Sequence, residues 1–278
     1  MPNLMKNKKN KWCVCGLGFV SQRHIQAIQD IGDEVIMACD NDQSKKIDYP
    51  FYDDWEKMME TEEFKNVDCV SIATPDYLHY PIIKKALEKG KRVLCEKPLT
   101  FTSAQCLTLP NDGSVGVILQ LRDHPEVLAM KEAYIGENGK TEVIVCRENR
   151  YWDSWQGNPE QCGGILNNIG VHYLDLLLHV SGAKSWEVLE KNYQKNKAFG
   201  KFKVKGDAIM EYSFIIQNTP EGQDRKLEFG DKAISLSRQN NLSFEGWHTR
   251  VFRDFKEGKV IMPKDAYKTI KLIEDLKC

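Results

Sequence analysis

Lys97 stands in the stretch "RVLCEKPLTF" (92–101), where the apolar run Val93-Leu94-Cys95 breaks into an acid, a base and a proline. Pro98 cannot donate a ladder hydrogen bond, so it ends the strand. It also restrains Lys97, the residue before it, to extended geometry. A lysine aimed in this way can exchange a proton with a bound hydroxyl once burial or neighbouring cations lower its proton affinity. Taken alone, its plainer reading is a solvated charge at a strand end. His172 is the second candidate. In "GGILNNIGVHYLDLLLHVSG" (163–182) an apolar helix carries Asn168, His172 and Asp175 at i, i+4 and i+7, on one face. Such a polar stripe costs stability unless its members are paired or functional. A lone histidine there reads first as a satisfied core residue. His179 continues the stripe and reads as structural or exposed.

A third stretch, "GLGFVS", has the spacing of a phosphate-binding turn. Gly16 permits the tight turn, and Gly18 lets a pyrophosphate approach the backbone at a helix N-terminus. Phe19 and Val20 complete the loop, and Ser21 is small enough for close helix–strand contact. Asp40 follows about 20 residues later, where a carboxylate can accept from the ribose hydroxyls and repel a 2′-phosphate. The pattern therefore favours NAD over NADP. By itself it is also compatible with a tight turn in some other α/β protein.

These residues need elements to hold them. Residues 12–16 read as a short buried strand, 21–31 as an amphipathic helix with Ile25, Ile28 and Ile31 on one face, and 34–39 as a second strand. Strand, turn, helix and strand fit one dinucleotide-binding unit. The alternation continues through a helix at 52–64, a strand at 67–75, a helix at 76–90 closed by Gly90, and the strand that leads to Lys97. In an open parallel sheet, ligands gather beyond the carboxyl ends of the strands. The Gly loop, Asp40, Thr74-Pro75 and Glu96-Lys97-Pro98 all belong to that edge. Lys97 is thereby aimed at the nicotinamide end of a dinucleotide.

The chain has 278 residues, 28% of them charged, and a formal net charge of −1. Nothing in that balance favours nucleic acid or an anionic membrane. No run of about 18 apolar residues occurs, so no transmembrane helix is expected. The basic start, residues 1–11, lacks a signal-peptide core and reads as a frayed end. Nine Cys are scattered, several within apolar runs, which suits reduced thiols and a cytoplasmic setting. The Cys13-Val-Cys15 spacing is too short for the usual zinc pattern, and no metal is expected.

With "GLG" (16–18), "ATPDYLHYP" (73–81), "CEKPL" (95–99) and "NNIGVHYLD" (167–175), the chain resembles the glucose-fructose oxidoreductase/inositol dehydrogenase/MocA family. "ILQLRDH" (118–124), "RENRYWDSWQGNP" (147–159) and "FEGWHT" (244–249) make it most similar to nucleotide-sugar 3-dehydrogenases that oxidise UDP-N-acetylglucosaminuronic acid. The resemblance implies an α/β chain: a Rossmann-type parallel-sheet domain followed by an α+β domain with an open mixed sheet. It implies Lys97 at the nicotinamide ribose and the reacting hydroxyl, and His172 as the second acid/base group. Thr74, Pro75, Tyr77, His79 and Glu96 would join the cofactor contacts. Together with the Asn/Asp companions, it favours a site at His172. Asn168 departs from the family, where many members carry Asp. The segment 102–117 is shorter than usual, so the sheet edge beside it is expected to be trimmed. Gln156 replaces an expected Lys. A dimer or tetramer is implied by the likeness only.

In the second half, "RENRYWDSWQGNP" is compatible with an aromatic core edge. It is equally compatible with a sugar or uracil platform of Arg147, Tyr151 and Trp155. Arg122 and His124 in "LRDH" are similar candidates. The expected division is residues 1–121 for NAD and 122–278 for substrate, with a closing helix at 266–276 returning to the first domain. The expected activity is oxidation of the 3-hydroxyl of a UDP-sugar by NAD. The rivals are a keto-sugar reductase, an NAD-assisted glycosidase, or an NAD-binding sensor without catalysis.

Overall fold

The structure is a computed structural model that describes residues 9–237 and 245–277. Residues 1–8, Phe244 of "FEGWHT" and Cys278 lie outside the described residues. Two compact units form. The first holds β1 (Lys11–Cys15), α1 (Ser21–Asp30), β2 (Glu34–Cys39), β3 (Phe51–Tyr52), α2 (Trp55–Met59) and β4 (Cys69–Ile72). It continues with α3 (His79–Glu88), β5 (Arg92–Cys95), most of α4 (Ser103–Leu107) and β6 (Val115–Val117). The second holds α5 (Pro125–Ala133), β7 (Gly139–Cys146), α6 (Asn149–Trp152), α7 (Pro159–Cys162) and α8 (Val171–Ser181). Its remaining strands are β8 (Trp186–Tyr193), β9 (Lys197–Val204), β10 (Ile209–Gln217), β11 (Asp224–Phe229) and β12 (Lys232–Ser235).

The first sheet runs β3-β2-β1-β4-β5-β6, and every pair in it is parallel. Trp12 to Cys15 have no exposed surface. That is why these strands read as unbroken apolar runs rather than alternating ones. The chain leaves β1 toward β2 and returns from β3 to β4, so the strand order reverses between β1 and β4. A crevice for a dinucleotide opens at such a switch point. Gly16 makes the turn there. Its φ is +90°, and a Cβ would come within 2.5 Å of the Ala73 carbonyl oxygen, so no other residue fits.

α9 (Glu245–Lys256) belongs to this first unit. Phe252 and Phe255 lie 5.3 and 5.6 Å from the Trp12 ring, and the Lys256 ammonium pairs with buried Asp33 at 2.6 Å. α10 (Pro263–Lys277) was expected to be the returning helix, yet it belongs to the second unit from Asp265 onward. Its Ile270, Leu272, Ile273 and Leu276 are buried, and Thr269 donates to Asp175 of α8. Phe101–Ser103 are counted with the second unit, and the main passage into it falls at Ile118/Leu119. The short 102–117 segment does not remove a strand. β6 is only three residues long, but it completes the sheet, and Val117 donates its N–H to Ile261 O, which covers that edge.

The second sheet runs β12-β11-β7-β10-β9-β8 and is mixed: β7 and β10 pair in parallel, and the other pairs are antiparallel. Burial alternates along β7, β9 and β10, so one face is covered. α8 packs against β7 and α5. The stretch before α8 differs from the expected continuous α-helix. Leu166–Gly170 is a π-helical turn that runs directly into α8. Asn168 lies on this turn and His172 just beyond it, and such turns are common at functional sites.

Candidate active site

In the first unit, the Gly loop and Asp40 meet as the sequence predicts. Asp40 Oδ2 accepts the Leu17 N–H at 2.7 Å, and Oδ1 accepts the Asp42 N–H at 2.9 Å. A group unread in the sequence joins them: the Lys45 ammonium lies 3.1 and 3.2 Å from the two Asp40 oxygens. Gly18 has open space where a Cβ would stand, which leaves its backbone accessible to a ligand. Phe19 is 77% exposed with the Arg23 guanidinium 5.2 Å from its ring, and Val20 caps α1.

The turns after β4 and β5 hold the rest of the cofactor set. Thr74 Oγ1 is buried without a hydrogen-bond partner, and so is Oδ2 of Asp76, a residue that the sequence reading passed over. Burial pushes the Asp76 carboxyl up to about 8, the Lys97 cation opposing this and the Glu96 anion adding to it. Tyr77 is exposed. His79, expected at the cofactor, is fully buried and turned inward. Its Nδ1 lies 2.7 Å from Pro98 O and its Nε2 3.1 Å from Thr74 O, so the ring ties the two turns together. Burial lowers its pKa, against the pull of those two carbonyls.

Glu96 also faces inward. Its Oε1 lies 3.0 Å from His24 Nε2 and 3.6 Å from His248 Nε2, while Oε2 accepts the Lys97 N–H at 3.2 Å. Burial opposes ionisation of Glu96, yet the two imidazoles outweigh it and hold the carboxyl well below its usual range. His24 is lowered by burial first, with Glu96 opposing, and its Nδ1 lies 2.8 Å from Ser71 Oγ. A neutral His24 that accepts from Ser71 and donates to Glu96 satisfies both directions. Donor atoms of His24, Glu96 and His248 lie within 4.8 Å of one another, so this is the group among the described residues that can hold a metal ion. Both nitrogens of His24 are already engaged, which accounts for the cluster without one. Lys97 itself is half-buried directly after this carboxylate.

In the second unit, Asn168 is 8% exposed on the π turn and His172 is half-buried on α8. Arg122, expected to hold substrate, is committed elsewhere. Its Nε and Nη2 donate to the two Asp175 oxygens at 2.7 and 2.6 Å, and Thr269 Oγ1 donates to Asp175 at 2.8 Å. Burial opposes the Asp175 charge, but Arg122 outweighs it and keeps the carboxyl low. A buried acid on an apolar helix needs such a partner, and the guanidinium fork fits a carboxylate. His124 caps α5 through its ring, accepting from Glu126 N–H, and does not stand out as a ligand group.

Arg147 sits at the end of β7 with its guanidinium 5.5 Å from the Tyr151 ring. Burial lowers its pKa first, Tyr151 opposes this, and Arg225 lowers it further. Both guanidinium groups also bear on buried Tyr173, whose hydroxyl burial pushes up to about 12. Among the described residues neither Arg147 nor Arg225 makes an ion pair with an acid. Two such cations at one place suit a phosphate or carboxylate. Arg225 lies on β11, in "GQDRKLEF", a stretch not singled out in the sequence reading. Trp155 is half-buried in a short 3₁₀ turn between α6 and α7.

The family model of oxidoreductases with an NAD-binding Rossmann fold, GFO_IDH_MocA, matches residues 10–111, and the model of its C-terminal α/β domain matches 138–228. The chain belongs to this family of NAD-binding oxidoreductases. A curated relative, the 2,7-anhydro-N-acetylneuraminate hydratase of Escherichia coli K12, is 31% identical over 134 residues, which cover 42% of this chain and 34% of the relative. The chain thus spans about a third of that relative's length. The solved WlbA (WbpB) dehydrogenase of Thermus thermophilus, in complex with NAD and UDP-GlcNAcA, is similar in fold. Its TM-score is 0.83 at 24% identity, with 97% of this chain and 95% of that one covered. The myo-inositol 2-dehydrogenase of Lactobacillus plantarum has a TM-score of 0.78 at 17% identity, covering 97% and 96%. NAD fits the first unit: the Gly16 turn, open Gly18, Asp40 at the end of β2 and the unpartnered Thr74 hydroxyl would hold it. No helix among the described residues is long and apolar enough to cross a membrane.

Proposed function

We propose that this chain is an NAD-dependent dehydrogenase that oxidises the 3-hydroxyl of a UDP-sugar, UDP-N-acetylglucosaminuronic acid in the first instance. The observation that carries the reading is the Arg147/Arg225 pair, two cations without an acid partner among the described residues, suited to a diphosphate or a uronate. The likeness in fold to a dehydrogenase in complex with NAD and UDP-GlcNAcA supports it. Bound NAD supplies the hydride acceptor. The hydroxyl proton leaves to the protein as the carbon–hydrogen bond gives up its electron pair, so one keto group, one NADH and one proton result. Lys97 and His172 carry that proton transfer, and Asn168 orients the sugar beside His172. Tyr151 and Trp155 serve as its apolar platform. The protein works as a homo-oligomer.

A thermal-shift panel tests the substrate class. With NAD present, UDP-N-acetylglucosaminuronic acid at about 100 times its Kd should add about 2.7 kcal/mol to stability. Free inositol, glucose and anhydro-sugars should add none. Arg147→Ala and Arg225→Ala should each remove the UDP-sugar effect while leaving that of NAD. Stabilisation by a free sugar alone would replace this reading with a sugar dehydrogenase or a hydratase-like activity.

A further inference from the structure

We propose that Asp76 is a cofactor-contacting residue whose carboxyl gives a hydrogen bond to the nicotinamide carboxamide of bound NAD. Asp76 follows β4, on the far side of the switch point from Asp40. A dinucleotide laid across that point with its adenosine ribose on Asp40 brings its nicotinamide half toward the β4 and β5 turns. Asp76 is 4% exposed, and its Oδ2 has no hydrogen-bond partner. A buried carboxyl left in that state is costly, so such an atom is expected to meet a ligand. Thr74 Oγ1, two residues earlier in the same turn, is likewise buried and unpartnered.

The charges around Asp76 decide how it makes the contact. Lys97 and Glu96, from the turn after β5, act on it with opposite sign, and burial outweighs both, so the carboxyl titrates at about 8. His79 stands one turn along its own segment, with both nitrogens on backbone carbonyls. At pH 7 Asp76 therefore carries its proton and can donate to the carboxamide oxygen. Above pH 8 it becomes an acceptor only, and the bond to that oxygen is lost.

The inference rests on NAD binding alone, so its failure leaves the sugar reading standing. The test is the affinity of the full chain for NAD and for ADP-ribose, which lacks nicotinamide, between pH 6.5 and 9.5. Wild type should bind NAD about fivefold more weakly at the alkaline end, the scale of one hydrogen bond. Asp76→Asn, whose amide keeps a donor at every pH, should hold wild-type affinity without the alkaline loss. Asp76→Ala should be about fivefold weaker throughout. ADP-ribose should bind all three proteins equally, which also reports that they are folded. Equal alkaline loss in wild type and Asp76→Asn, a flat wild-type profile, or ADP-ribose weakened as much as NAD by Asp76→Ala would each overturn the assignment.

Discussion

Asp40 was readable from its distance to the Gly loop, because the size of one strand–helix–strand unit sets that distance. What the sequence did not reveal is Lys45, whose ammonium sits on the same carboxylate. The pairing gives the cofactor preference a definite direction. Wild type should bind NAD at least about tenfold more tightly than NADP, on the scale of hydrogen bonds to a charged group. Asp40→Ala should lose about tenfold in NAD affinity and, with the Lys45 ammonium released, gain relative affinity for NADP. Fluorescence titration with both dinucleotides reads this directly, and an unchanged preference in Asp40→Ala would count against the role. The inward turn of His79 and Glu96 was not legible for one physical reason. Motif position places a residue on the right turn, but a period of two or 3.6 cannot tell which side of that turn a side chain takes. Glu96 turns inward because His24 and His248, 72 and 152 positions away, are there to receive it. Asp76 was passed over because one carboxylate in a turn looks solvated until its burial is known.

Among the elements, α8 was legible as an apolar helix with a polar stripe, although the π turn at its start was not. Nothing in "LNNIG" distinguishes a five-residue from a four-residue hydrogen-bond ring. The stripe has two different functions along its length. Asp175 belongs to the Arg122 pair that fastens α8 to the chain before α5 and to α10, whereas Asn168 and His172 stand nearer its start. Removing one member of a buried pair leaves the other charge uncompensated. Asp175→Asn should therefore cost about 3 kcal/mol in urea unfolding, the lower end for such pairs because Arg122 keeps some solvent. Arg122→Met with Asp175→Leu should recover most of that loss. NAD affinity should change in neither protein. If Arg122→Met alone left stability intact but abolished sugar binding, Arg122 would be a substrate residue after all.

For the whole molecule, the parallel sheet was the easiest feature to read, since strands buried on both faces appear as apolar runs punctuated by Gly and Pro. The allocation of the last two helices was not readable. α9 and α10 are both amphipathic, and contacts remote in sequence, Phe252 and Phe255 against Trp12 and Lys256 against Asp33, place the former with the first unit. The mixed sheet of the second unit likewise announced its strands but not their order, which joins β7 to β10 and β11 across long separations. The central proposal is that Lys97 and His172 carry the proton of a sugar hydroxyl. Its most direct test is single-turnover formation of NADH after NAD-loaded protein is mixed with UDP-N-acetylglucosaminuronic acid. Wild type should form NADH in proportion to its sites. Lys97→Met and His172→Asn should each be slower by about 10²–10⁴-fold, the scale of general acid–base catalysis, with NAD affinity little changed. Near-wild-type rates in both variants, or no NADH from the wild type with any UDP-sugar, would contradict the account.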